Sequence, residues 1–153
     1  MGGRAMSRTY FVPFDGSPLS RTALRRAGEL AADETAVLAF IVVPHGNTSW
    51  ARERDLLEPG EQYDADAIIE AAETAVSSIA PKATFEHAFV GKRSVSGRIA
   101  GVIRRRAAEA DADIVFLGSE NAGHIVTSVA DVAPSVAATG SYDVYIARRS
   151  DPA

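Results

Sequence analysis

Apolar positions along this chain fall into two alternating kinds of segment: short runs without helical period, and longer stretches that have it. Residues 9–14, rich in aromatic and β-branched side chains, predict a strand that stops at Asp15-Gly16-Ser17-Pro18. Ser17 suits a helix N-cap and Pro18 the first turn, where a missing N–H costs nothing. Leu19, Ala23, Ala27 and Leu30 then recur at helical spacing and predict one apolar stripe. Residues 36–43 are apolar throughout, so they read as a strand covered on both faces by helices, as in a parallel sheet. Residues 44–61 are polar, carry Gly46, Asn47, Pro59 and Gly60, and show no period, which predicts a long surface loop anchored by Trp50. Ile68, Ala71, Ala72, Ala75, Val76 and Ile79 form a second helical stripe that Pro81 ends.

The alternation continues to the end of the chain. Residues 84–90, with Phe85 and Phe89 alternating, predict a strand close to a sheet edge. Ser94–Ser96 are expected to cap a helix built on Ile99, Val102, Ile103, Ala107 and Ala110. A short strand over 113–117 ends at Gly118-Ser119. A loop over 120–128, a helical stretch and a last strand over 142–147 follow. This order predicts an α/β domain, an open, doubly wound five-stranded parallel sheet with helices on both faces. Ligands of such sheets bind outside the carboxyl ends of the strands, which places residues 15–17, 42–46 and 118–123 around one crevice.

Composition narrows the class. At 153 residues one domain is expected, over 8–149, between a disordered tail at 1–7 and a short tail at 150–153. The chain has no cysteine, so thiolate metal sites, disulfides and cysteine nucleophiles are excluded. No apolar stretch approaches a membrane span and no charged-then-apolar leader is seen, so a cytoplasmic protein is expected. A net charge of −4 gives no electrostatic reason to bind nucleic acid. The basic run Arg104–Arg106, flanked by Glu109 and Asp111, reads as a solvated helix face.

Three segments carry a family resemblance. Phe11-Val12-Pro13-Phe14-Asp15-Gly16-Ser17 resembles the V-P-x-D-G-S start of universal stress proteins. Asp113-Ile114-Val115-Phe116-Leu117-Gly118-Ser119 is similar to that family's fourth strand and glycine turn, and Val144-Tyr145-Ile146-Ala147-Arg148 to its closing strand. The resemblance implies a flavodoxin-like or adenine nucleotide alpha hydrolase-like sheet of order 3-2-1-4-5. It also implies a non-catalytic stress-response homodimer, paired antiparallel through the last strand. Tyr142, Val144, Tyr145 and Ile146 would form that edge, and Tyr145→Pro is expected to abolish the dimer by removing a ladder donor.

Many members of the family bind ATP, and their site carries over only in part. By resemblance Asp15 matches the aspartate near adenosine and Val42 the valine whose backbone contacts adenine, with Ser17 beside them. Gly118 and Ser119 match the start of a phosphate loop of form G-x-x-G-x(9)-G-[S/T]. Asn121 stands where the second glycine belongs, with Gly123 two positions on. The closing G-[S/T] is absent. In one register Thr127 replaces the glycine and Ser128 keeps the hydroxyl. In the other, which keeps loop length and is supported by Pro134, Ala130 and Asp131 stand there. A Cβ at the closest approach, or a carboxylate facing phosphates, opposes triphosphate binding. Weak or absent ATP binding is therefore expected, so no cofactor is assigned, with ATP or AMP as candidates. The alternative is an ATP-binding switch or slow ATPase in the same crevice.

Other chemistry has less support. His45, His87 and His124 have no metal-ligand spacing, so no metal is expected. His87 lies mid-strand as a packed or surface residue, whereas His45 and His124 both follow strands and could meet an anion at the crevice. Ser17, Ser119 and Ser128 lack a nucleophile elbow, and the turn after strand one lacks the hydroxyl run that would cradle a flavin phosphate. Asp15 has a plainer reading as well, since an aspartate before glycine often stabilises a turn through its own backbone.

Overall fold

Eight consecutive buried residues, from Val37 to Pro44, mark the middle of the sheet. The computed structural model describes residues 7–119 and 142–150. Within them lie strands β1 (Arg8–Pro13), β2 (Thr35–Pro44), β3 (Thr84–Val90), β4 (Ile114–Gly118) and β5 (Asp143–Ala147). The helices are α1 (Pro18–Leu30), α2 (Thr48–Glu53), α3 (Ala65–Ile79) and α4 (Ser96–Glu109). Every strand pair is parallel, and the order is β3-β2-β1-β4-β5. Residues 120–141, where the sequence predicts a loop and a helical stretch, lie outside the described residues, as do Asn121, Gly123, His124 and Ser128.

Side chains of the central strands alternate between two apolar layers. Tyr10, Val12, Val37, Ala39, Ile41, Val43 and Phe116 pack with Ala23, Leu24 and Ala27 of α1 and with Ile68, Ala72 and Val76 of α3. On the other face Phe11, Leu38, Phe40, Val42, Val115 and Leu117 pack with Ala100 and Ala107 of α4. Each fully buried Phe, Ile or Leu contributes about 1.5–3 kcal/mol relative to exposure, so a strand lined on both sides must be apolar without interruption. Within the first layer the rings of Tyr10, Phe116 and Tyr145 stand side by side at centroid spacings of 5.0 and 5.1 Å.

Four sequence expectations need correction. In α1 the buried face comprises Ser20, Thr22, Ala23, Leu24 and Ala27, while Leu30 is 55% exposed. The two hydroxyls tolerate burial because each donates to a backbone carbonyl of the first turn: Ser20 Oγ to Ser17 O (3.0 Å) and Thr22 Oγ1 to Pro18 O (3.2 Å). The segment read as a long loop contains α2, capped by Asn47, whose Oδ1 accepts from the Trp50 amide at 3.0 Å. Buried Ala51, Leu56 and Leu57 hold it on the core. Val95, with no capping side chain, starts α4 in place of a serine. Arg106 is no solvated cation: its guanidinium forks onto Glu86 of β3, Nε to Oε1 at 2.7 Å and Nη2 to Oε2 at 3.1 Å.

Strand β5 takes the outer position beside β4. The Asp143 amide donates to Asp113 O, so it points toward β4. Successive N–H groups of a strand point to opposite edges, so the Tyr145 amide also faces β4, while those of Val144 and Ile146 face outward. Tyr145→Pro would thus damage the sheet itself. Val144, 39% exposed, is the position at which proline addresses the outer edge.

Candidate functional site

Asp15 and Ser17 follow β1 in a turn stitched by its own polar groups. The Ser17 amide donates to Asp15 Oδ1 (2.9 Å), the Asp15 amide to Ser20 Oγ (3.3 Å), and Arg21 Nε to Gly16 O (2.8 Å). Ser17 Oγ accepts from the Ser20 amide at 3.4 Å and caps α1, with Pro18 in its first turn. The turn-stabilising reading of Asp15 is thus part of its role. Burial pushes the Asp15 carboxyl up, but the hydrogen bonds from Ser17 and Ser20 and the charge of Arg54 outweigh it and hold the group below the usual carboxylate range.

Arg54, which no sequence pattern pointed to, approaches Asp15 from the segment after α2. Its Nε lies 3.7 Å from Asp15 Oδ2, its Nη1 donates to Trp50 O at 3.1 Å, and its guanidinium lies over the Trp50 ring at 4.6 Å. A cleft of about 420 Å³ opens here between Asp15–Pro18 and Arg21 on one side and Glu53–Asp55 on the other. Arg21 lies over the Phe14 ring at 5.8 Å.

The remaining candidate residues are spread around the carboxyl ends. Gly118 ends β4, and a Cβ there would lie 2.8 Å from Leu19 Cβ and 3.0 Å from the Leu19 carbonyl carbon. The missing side chain is what lets α1 lie against β4. Ser119 follows it, exposed. The Val42 side chain is buried under α4, and the residue stands beyond the last β1–β2 rung, Pro13 opposite Phe40. His45 turns toward β3: its ring packs edge-on against Tyr63 (5.4 Å) and Phe89 (5.3 Å). His87 is exposed between Phe85 and Phe89. At the outer strand, burial pushes the Tyr142 hydroxyl up against the opposing pull of Arg104. Among the described residues no three His, Asp or Glu side chains gather as a metal site, and no helix is long and apolar enough to cross a membrane.

The parallel order with its turn of Asp15, Gly16 and Ser17 agrees with a family comparison: residues 6–148 match the model of the universal stress protein family. The chain belongs to that family. Among solved structures it is similar to a universal stress protein in complex with cAMP, at 22% identity and TM-score 0.51, over 92% of this chain and 95% of that one. It is also similar to hypothetical protein MJ0577, whose biochemical function was assigned from structure (16%, TM-score 0.54, 96% and 99% covered). A third is hypothetical protein PH0823 (18%, TM-score 0.52, 94% and 97% covered). At these identities the likeness is one of fold. None of the curated proteins matches the sequence.

Proposed function

We propose that this universal stress protein is a non-catalytic, cytoplasmic homodimer of the stress response, whose crevice takes a small adenine nucleotide and binds ATP weakly or not at all. The observation that carries the reading is the strand order. β1 and β4 are neighbours whose onward connections leave in opposite directions, toward β2 and toward β5. Such a switch opens a crevice at the carboxyl ends, with Asp15 on one lip and Ser119 on the other. The cAMP held by one structural relative supports an adenine ligand with a single phosphate. The replacements in the phosphate loop, Asn121 together with Thr127 or the pair Ala130 and Asp131, weigh against three. The outermost position of β5 among the described strands, with Val144 exposed, supports pairing between subunits.

Calorimetric titration of the purified protein with cAMP, AMP and magnesium-ATP tests this. Binding of a monophosphate at least tenfold tighter than ATP is expected. Micromolar, magnesium-dependent ATP affinity would replace the reading with that of an ATP-binding switch.

A further inference from the structure

The segment after α2 lies directly on the turn that carries Asp15. A Cβ on Gly16 would meet the Arg54 carbonyl oxygen at 2.8 Å, and Gly16 has φ +81, so the two backbones touch only because residue 16 is glycine. Buried Ala51, Leu56 and Leu57 pin this segment to the core on both sides of Arg54. The backbone is thus fixed, and the Arg54 side chain is the part that can swing.

Its hold on Asp15 is the loose contact, while Nη1 donates to Trp50 O and the guanidinium lies over the Trp50 ring. Nε is buried without a hydrogen-bond partner, because 3.7 Å to Asp15 Oδ2 is ion-pair distance and too long for a hydrogen bond. A second carboxylate waits outside: Glu53, 73% exposed, lies with Oε2 3.7 Å from Nη1. A guanidinium leaving Asp15 therefore keeps a partner of opposite charge.

We infer that Arg54 is a releasable latch on Asp15, displaced toward Glu53 by a ligand whose hydroxyls donate to the Asp15 carboxylate, as the ribose of a nucleotide does. The inference rests on the nucleotide reading of the crevice and adds its gate. Oδ2 of Asp15 faces Arg54 across the cleft, so a ribose hydroxyl donating to this carboxylate would compete with the Arg54 contact. Trp50 is the chain's one tryptophan and lies under the guanidinium, so its emission reports the latch without a label.

The test uses the full chain as wild type, Arg54→Met, Arg54→Lys and Asp15→Asn, with AMP and cAMP as probes. Arg54→Met is expected to bind AMP about fivefold more tightly than wild type, equivalent to about 1 kcal/mol. Arg54→Lys, which keeps charge without the planar fork, falls between them. In the absence of ligand, Asp15→Asn should raise acrylamide quenching of Trp50 above the wild-type level, and AMP should do the same to the wild type. Equal AMP affinity in wild type and Arg54→Met overturns the latch and leaves the nucleotide reading standing. Unchanged Trp50 quenching in Asp15→Asn also overturns it, whatever the protein binds. Binding of neither probe to any form sinks the nucleotide reading and the latch together.

Discussion

Replacing Gly118 by alanine separates packing from ligand binding at a position that the family resemblance alone assigns to a phosphate loop. The new Cβ would stand 2.8 Å from Leu19 Cβ, 3.0 Å from the Leu19 carbonyl carbon and 3.2 Å from the Ser20 amide nitrogen, and two of these three atoms are backbone. Since α1 cannot yield by turning one rotamer, the helix must lift from β4. Overpacking of this kind costs about 1–3 kcal/mol. Alanine recovers roughly 0.5–1 kcal/mol of backbone entropy that glycine gives up in regular structure. The net destabilisation is about 1.25 kcal/mol, or roughly 2.5–5 °C in Tm for a domain of this size. Differential scanning calorimetry at fixed protein concentration reads it, with Gly101→Ala as the control of opposite sign. Gly101 lies inside α4 and its added Cβ meets nothing closer than Arg104 Nη2 at 3.9 Å, so that variant should gain up to about 1 kcal/mol. A Gly118→Ala protein as stable as the wild type, without nucleotide, would refute the packing argument.

Two further outcomes are expected. On the proposed pairing through β5, the wild type should have a dimer mass in multi-angle light scattering and Val144→Pro a monomer mass, since the variant removes an outward-facing amide while the β4–β5 ladder stays intact; a dimer mass in that variant counts against pairing through β5. The hydrogen bonds from Arg106 hold the Glu86 carboxyl below its ordinary value, so its stabilisation is complete above the unfolded pKa, about 4.3, and fades as pH falls through the depressed folded one. Glu86 is 38% exposed, so solvent screening limits the effect to about 1 kcal/mol or less. Glu86→Gln should lower urea stability by that amount at pH 7, with the difference shrinking toward pH 3; a constant difference across that range would show that charge is not its source.

The layering was legible because the physics is local and repeated. The unbroken apolar run of β2, the Ser17-Pro18 start of α1 and the stop at Pro81 each follow from one residue's backbone or from many residues' burial. The short helix α2 was hidden because six residues make less than two turns and leave no periodic stripe. Its one signal was Asn47 standing three positions before Trp50, a capping spacing that also suits an Asx turn. Leu30 misled because hydropathy counts a leucine as core whether or not a neighbour waits for it, while Ser20 and Thr22 could go inside by bonding to carbonyls behind them. At the crevice the sequence pointed to Asp15 and could not point to Arg54. The two are far apart along the chain and meet only because glycine at 16 lets one backbone settle on another. Gly118 was assigned by resemblance to a phosphate loop; the sequence did not show that, among the described residues, a Cβ there would first meet Leu19 of the first helix.

The row of rings formed by Tyr10, Phe116 and Tyr145 crosses three adjacent strands beneath α1. Plates laid across two joints resist shear at both, so β1, β4 and β5 cannot slip past one another without prising the rings apart. Amide protons in these strands should therefore exchange as one cooperative block. A twist applied to the outermost strand would reach the one ending at Asp15 as the tilt of a slab.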